Sequence, residues 1–257
     1  MPNKSFSVRI KHKIKPFSKT IKVDSDKSLS IRSFLLGSIC QNISTVNNVL
    51  ESGDVKSAIK TCQKLGVVIK KIRPKSYKIY GKGLGSLFIK KNAELNFGNS
   101  GTLARLLLGI LSTTPNININ IRGDHSLNKR SMEKLINLLS KFGATFLPIN
   151  KYTFPLKMIS SEMPVGIKYK AEVSAQLKSA VLLAGLNSYG NTTIEEQIIS
   201  RDHTENLLMK NIQSIKITKN KKKIIKVKGK SYLNPLNLNI GGDPSSAAFF
   251  AALTLLN

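Results

Sequence analysis

The sequence predicts a mixed α/β (α+β) protein made from a repeated βαβαββ unit, with three complete units and the start of a fourth. Four segments share one design, small and polar residues followed by helical periodicity: DSDKSLSIRSFLLGSI, GNSGTLARLLLGIL, VSAQLKSAVLLAGL and GGDPSSAAFFAALTLL. Anchored on Ser28, Ser100, Ser174 and Ser245, they lie 72, 74 and 71 residues apart. A second helical pattern and alternating β-type stretches follow each of the first three, so the repeat is a mixed module and not a solenoid turn.

In each first helix the apolar residues recur at helical spacing: Ile31, Phe34, Leu35, Ile39; Leu103, Leu106, Leu107, Ile110; Leu177, Ala180, Val181, Ala184; Phe249, Ala252, Leu253, Leu256. This pattern predicts amphipathic helices with one buried face. Second helices are expected from Asp54 to Gly66, with Val55, Ala58, Ile59 and Cys62 as the stripe, and along Met132, Leu135, Ile136 and Leu139 to Gly143. The third opens at DHTE, where Asp202 as N-cap and Glu205 three residues on suggest a capping box. VVIKKI, ATFLPI and SIKITK read as the strands that follow, and KSYKIYGKG, TFPLKMI and KKIIKVKG complete the units. Unit boundaries fall near 21–94, 95–165 and 166–235.

A chain of 257 residues with 41% hydrophobic and 21% charged residues has the composition of a globular protein. No apolar run reaches membrane-spanning length and the start lacks the apolar core of a signal peptide, so a cytoplasmic protein is expected. Cys40 and Cys62 sit in helical stretches without metal-ligand spacing, which predicts packed thiols and no metal. The net charge of +27 suggests a polyanion partner, but 34 Lys against 7 Arg, with 28 Ile and 22 Asn, matches AT-rich coding and is scattered over the chain. Its densest run, Lys219–Lys223, reads as a solvated hairpin turn. With aromatics at 6% and no Trp, the stacking platforms of a nucleic-acid binder are missing.

A helix N-terminus offers unpaired N–H groups and the positive end of the macrodipole, and small residues let an anion approach the backbone. Cations about one turn in reinforce three such ends: Lys27 and Arg32, Arg105, and Lys178. The pattern predicts a cleft for a small, multiply charged anion, or for two.

DKSLSIR, GNSGTLAR, GDHSLNKRSM, SAQLKSAVLLAGL, SRDHTE and GGDPSSAAFF, in this order, resemble the 5-enolpyruvylshikimate-3-phosphate synthase family over essentially the whole chain. The resemblance implies the inside-out α/β enolpyruvyl-transferase fold, with helices wrapped inside sheets and two domains closing on substrate. It places 21–235 in one domain and 1–20 with 236–257 in a second, incomplete one, within a longer chain. The reaction implied is enolpyruvyl transfer from phosphoenolpyruvate to the 5-hydroxyl of shikimate 3-phosphate, on the route to chorismate, by a monomer that uses no cofactor and binds neither membrane nor nucleic acid.

By the same resemblance Lys27 contacts both substrates and is the catalytic residue within this chain. Ser28, Arg32, Ser174, Ala175, Gln176 and Ser200 bind shikimate 3-phosphate; Gly101, Arg130 and Gln176 join Lys27 at phosphoenolpyruvate. Asn99, Asp54, Arg105 and Asp243 shape the cleft, His203 is structural, and the acid–base Asp is expected beyond residue 257. Asp24 and Ser25 stand where the family usually has Pro-Gly, Ile31 replaces a common His, and Ser131 replaces a Pro. The alternatives are a substrate-binding fragment without turnover, an enolpyruvyl transferase acting on UDP-N-acetylglucosamine, which usually needs a reactive Cys, and a basic nucleic-acid-binding protein.

Overall fold

The computed structural model describes residues 18–256 except 213 and 220–221. The expected first-domain segment therefore falls outside the described residues up to residue 17, as do the middle of the basic run and Asn257. The element order is α1 (Lys27–Ile39), β1 (Ile43–Asn47), α2 (Gly53–Lys64), β2 (Val68–Arg73), β3 (Ser76–Tyr80) and β4 (Glu94–Asn96). Next come α3 (Gly101–Ser112), β5 (Asn118–Arg122), α4 (His125–Asn128), α5 (Glu133–Ser140), β6 (Thr145–Leu147), β7 (Leu156–Ile159) and β8 (Lys168–Ala171). The rest are α6 (Ala175–Leu186), β9 (Asn191–Glu196), α7 (His203–Asn211), β10 (Ile215–Lys219), β11 (Lys223–Lys228), β12 (Asn237–Asn239) and α8 (Pro244–Leu256).

Three four-stranded sheets share one topology: β4-β5-β7-β6, β8-β9-β11-β10 and β12-β1-β3-β2. In each, the first two strands are parallel and the others antiparallel. A parallel pair needs a crossover, and α3 and α6 supply it in the second and third units. The first unit departs from the expected boundary at 235, because its opening strand is β12. Leu238 there pairs with Val46, and the Leu236 N–H donates to Ser44 Oγ at 2.9 Å. Among the described residues, 236–239 bring these backbone groups to the open side of β1. Around them Asp26 N donates to Gly241 O at 2.9 Å, and Ser25 bridges Gly242.

The first helices also depart from expectation, since α1, α3 and α6 are enclosed on nearly all sides. Ser30–Ile39 and Leu177–Leu186 are buried without a break. Their polar residues are satisfied locally, as when Ser30, Ser33 and Ser38 donate to the carbonyls of Asp26, Ser30 and Phe34. α3 and α6 meet backbone to backbone at Gly109, where a Cβ would sit 2.5 Å from Ala180 O. Helices inside and sheets outside give the inside-out arrangement. α8 is different: Phe249 and Leu255 are 79% and 87% exposed. Among the described residues no helix is long and apolar enough to cross a membrane.

Candidate anion-binding site

The N-termini of α1, α3 and α6 open onto two neighbouring pockets. Each helix is capped by its own side chain: Asp26, Ser100 and Ser174 accept from the N–H of Leu29, Leu103 and Leu177 at 2.7, 3.3 and 3.3 Å. The first pocket, about 440 Å³, is lined by Ser28, Arg32, Ser174, Ala175, Gln176 and Ser200, with Arg201 and His203. The second, about 460 Å³, holds Lys27, Asp54, Asn99, Gly101, Thr102, Arg105, Arg130 and Gln176. Gln176 belongs to both, and its Nε2 donates to Thr102 Oγ1 at 3.1 Å, tying α6 to α3.

Arg32 defines the first pocket. Its side chain is 5% exposed, donating from Nε to Thr204 Oγ1 at 2.9 Å, from Nη1 to Ser28 O at 3.1 Å and from Nη2 to Ser179 Oγ at 3.4 Å. Thr204 Oγ1 in turn donates a hydrogen bond to Ser179 Oγ at 2.8 Å. Among the described residues no carboxylate lies within 4 Å of the guanidinium, and burial pulls its pKa down to about 10. Its hydrogen bonds go to neutral oxygens, and the carboxylates of Asp26 and Glu205 act on it at longer range, so the charge costs desolvation without a contact ion pair. His203, half-buried, is pushed below its usual pKa by burial and by the guanidiniums of Arg32 and Arg201, against the opposing pull of Asp26 and Asp202.

The second pocket is a crowd of cations. Lys27, 48% exposed, pairs with Asp54 at 3.0 Å. Arg105 Nη1 donates to Gly101 O at 3.2 Å, and Arg130 Nη2 to Asn99 Oδ1 at 2.9 Å. Burial and the neighbouring Arg130 lower the Arg105 pKa. At Gly101 an added Cβ would lie 2.7 Å from Arg105 Nη1 and 3.2 Å from Arg130 Nη1, so a side chain there would displace the guanidiniums. The carboxylate of Asp243 accepts from Ser245 N at 2.8 Å and caps α8, outside both pockets.

Three expectations are corrected here. Lys178 does not face an anion site: it is fully buried, 2.6 Å from both Glu196 and Glu205. Glu205 forms no capping box with Asp202, because its carboxylate turns inward to the lysines, while Asp202 accepts from Asn206 Nδ2. Lys223 is no solvated turn residue, lying 6% exposed and 3.1 Å from Glu196. Arg201 and Thr102, which the sequence reading did not single out, line the pockets; their only sequence signal is membership of SRDHTE and GNSGTLAR.

A roomier cavity, about 540 Å³, lies away from these helix starts, lined by Gln41, Gly81, Asn187 and Tyr232 among others. Its cations do not converge on a ligand, since Lys82 and Lys230 rest over the rings of Phe88 and Tyr189 at 5.3 and 4.7 Å. Both cysteines are buried, and loss of solvation pushes the Cys40 and Cys62 thiols up to about 12 and about 11. Neither is a reactive thiolate.

Fold and pockets together define an inside-out α/β protein whose central helices turn their N-termini, with Lys27, Arg32, Arg105 and Arg130 nearby, toward two neighbouring pockets. Residues 11–257 match the family described as EPSP synthase (3-phosphoshikimate 1-carboxyvinyltransferase), and the chain belongs to that family. It is 39% identical over 244 residues to the 3-phosphoshikimate 1-carboxyvinyltransferase of Novosphingobium aromaticivorans, covering 94% of this chain and 55% of that one. With the enzyme of the same name from a Sulfurihydrogenibium species it shares 41% identity over 251 residues, covering 93% and 56%. The solved EPSP synthase of Acinetobacter baumannii superposes with a TM-score of 0.81 at 36% identity, over 90% of this chain and 51% of that one. The chain thus spans about half the length of the relatives it matches.

Proposed function

We propose that the protein takes part in enolpyruvyl transfer from phosphoenolpyruvate to the 5-hydroxyl of shikimate 3-phosphate, and that these 257 residues carry the shikimate 3-phosphate pocket. The observation that carries this reading is Arg32, a buried guanidinium with no carboxylate within 4 Å among the described residues, at the junction of two helix N-termini. Ser28, Arg32, Ser174, Ala175, Gln176 and Ser200 hold shikimate 3-phosphate, with Arg201 as a further cation at the rim. Lys27, Gly101, Arg130 and Gln176 take phosphoenolpyruvate, joined by Arg105.

In the reaction the 5-hydroxyl oxygen bonds to C2 of phosphoenolpyruvate while C3 gains a proton, giving a tetrahedral intermediate. The hydroxyl proton goes to a base, phosphate leaves from C2, and C3 gives a proton back. Lys27, in the wall of the second pocket beside the start of α1, is the ammonium we assign to both anions, and the guanidiniums and helix ends offset charge on carboxylate and phosphate. An acid–base Asp from the part of the family not spanned by this chain completes the proton transfers. We assign the protein to the cytoplasm as a monomer acting on small molecules alone. We assign residues 21–235, joined by β12, to one domain of three units, and 1–20 with the rest of 236–257 to a second, incomplete one.

Phosphate release from phosphoenolpyruvate that depends on shikimate 3-phosphate tests the proposal. It is expected to be absent for the 257 residues alone and present when the chain is continued to the relatives' length. Robust turnover by the 257 residues, or none in the longer chain, overturns it.

A further inference from the structure

Four charged side chains are buried together in the third unit, next to the first pocket but outside its lining. Lys178 of α6 and Lys223 of β11 face Glu196, the last residue of β9, and Glu205, in the first turn of α7. Lys178 Nζ lies 2.6 Å from Oε1 of each glutamate, and Lys223 Nζ lies 3.1 Å from Glu196 Oε2 and 3.3 Å from Glu205 Oε1. Two ammonium and two carboxylate groups cancel in formal charge.

Desolvation offsets most of the attraction in such a cluster, so stability alone is a weak reason for it. Its geometry supplies a stronger one. The two glutamates close off residues 197–204, which contain the loop 197–202 between β9 and α7, and both lysines approach both carboxylates, which clamps the two sides of that loop. Glu196 Oε1 also accepts from Ser200 N at 2.9 Å and from Ser200 Oγ at 2.7 Å. Ser200 forms part of the pocket wall with Ser174 and Arg32. On the other side Thr204, next to Glu205, accepts from Arg32 Nε. The serine wall and the guanidinium are therefore both referenced to the same buried charges.

We propose that Glu196 is a positioning residue for the anion pocket: held by Lys178 and Lys223, its carboxylate fixes the backbone and hydroxyl of Ser200 at the pocket wall. This rests on reading that pocket as the shikimate 3-phosphate site. Without the acceptor, residues 197–202 open more readily, and binding has to order them.

Two charge-balanced double variants test it: Lys178→Met with Glu196→Gln, and Lys178→Met with Glu196→Leu. Each removes one charge of either sign and keeps the Lys223–Glu205 pair, so they differ in whether residue 196 offers Ser200 an oxygen. Amide exchange at Ser200 in the free chain and calorimetric affinity for shikimate 3-phosphate are measured for both. The glutamine pair should stay within about threefold of wild type, while the leucine pair exchanges about tenfold faster and binds about tenfold more weakly. Phosphoenolpyruvate affinity should change in neither. Wild-type behaviour of the leucine pair, or equal weakening of both pairs, overturns the positioning role. If the wild-type chain binds no shikimate 3-phosphate, the reading of the pocket fails, and the exchange comparison still decides the role of Glu196. Should the leucine pair not fold, wild type alone decides: the Ser200 amide must be the slowest of residues 197–202, and exchange no slower than its neighbours overturns the proposal.

Discussion

The pocket around Arg32 and the pocket around Gly101 take helix N-termini from one set of three helices, yet they hold their cations in opposite ways. Arg32 is withdrawn from water and fastened by Thr204, Ser28 and Ser179. Lys27 and Arg130 stay exposed, and Arg105 is crowded by a second guanidinium. One site has met the cost of desolvating and orienting its charge during folding. The other leaves that cost to the ligand, which must gather cations that repel one another. The first should bind more tightly as it stands, and the second should respond more to salt and to small changes of shape.

The strongest way to break this comparison is Arg32→Met. Loss of a buried, oriented guanidinium should weaken shikimate 3-phosphate by on the order of 100-fold, since hydrogen bonds to charged groups contribute about 1.5–3 kcal/mol each. Phosphoenolpyruvate affinity should move less than about threefold in the same titration.

Acid comes next. Burial raises the pKa of Glu196, but hydrogen bonds from Lys178, Ser200 and Lys223 outweigh it and hold the carboxyl at about 2. A carboxyl held down in the folded state contributes stability that is fully present above its unfolded pKa and is lost as pH falls through the folded one. The unfolding free energy, followed by circular dichroism in denaturant, should therefore drop as pH falls from about 4.5 toward 2. The Lys178→Met, Glu196→Gln pair should lose less over the same range. An equal loss would place the acid sensitivity elsewhere.

Gly101→Ala perturbs only the second pocket. The added methyl pushes against the flexible ends of Arg105 and Arg130, so the fold should hold while phosphoenolpyruvate affinity falls by about tenfold, a cost of roughly 1.4 kcal/mol, and shikimate 3-phosphate is unaffected. The smallest expected effect is that of salt. Raising it from about 0.05 to 0.5 M should weaken phosphoenolpyruvate a few-fold more than shikimate 3-phosphate, because exposed charges are screened and a buried guanidinium is not.

The same contrast marks what was legible in the sequence. The repeat spacing and the small residues before each helix located the helix starts, and Lys27, Ser28, Arg32, Gly101, Ser174, Gln176 and Arg130 line the two pockets that those starts form. Lys178 could not be read correctly. It sits one turn into its helix as Arg32 and Arg105 do in theirs, and only the approach of β9 and α7 gives that position two carboxylates. Glu205 was misread for the same reason, since a capping box is a local pattern and a buried ion cluster is not. The strand Asn237–Asn239 alternates, between Leu236 and Ile240, but has only three residues, and its parallel place beside β1, 192 residues earlier, is a non-local pairing that no local pattern specifies.

The central claim is that Arg32's pocket is preorganised, whereas the Gly101 pocket is not. Calorimetric titration of the folded 257-residue chain with shikimate 3-phosphate and with phosphoenolpyruvate, each alone at about 0.15 M salt, tests it most directly. The account predicts measurable shikimate 3-phosphate binding that exceeds phosphoenolpyruvate binding by at least about tenfold. Equal affinity for the two ligands, or none for shikimate 3-phosphate, would contradict it.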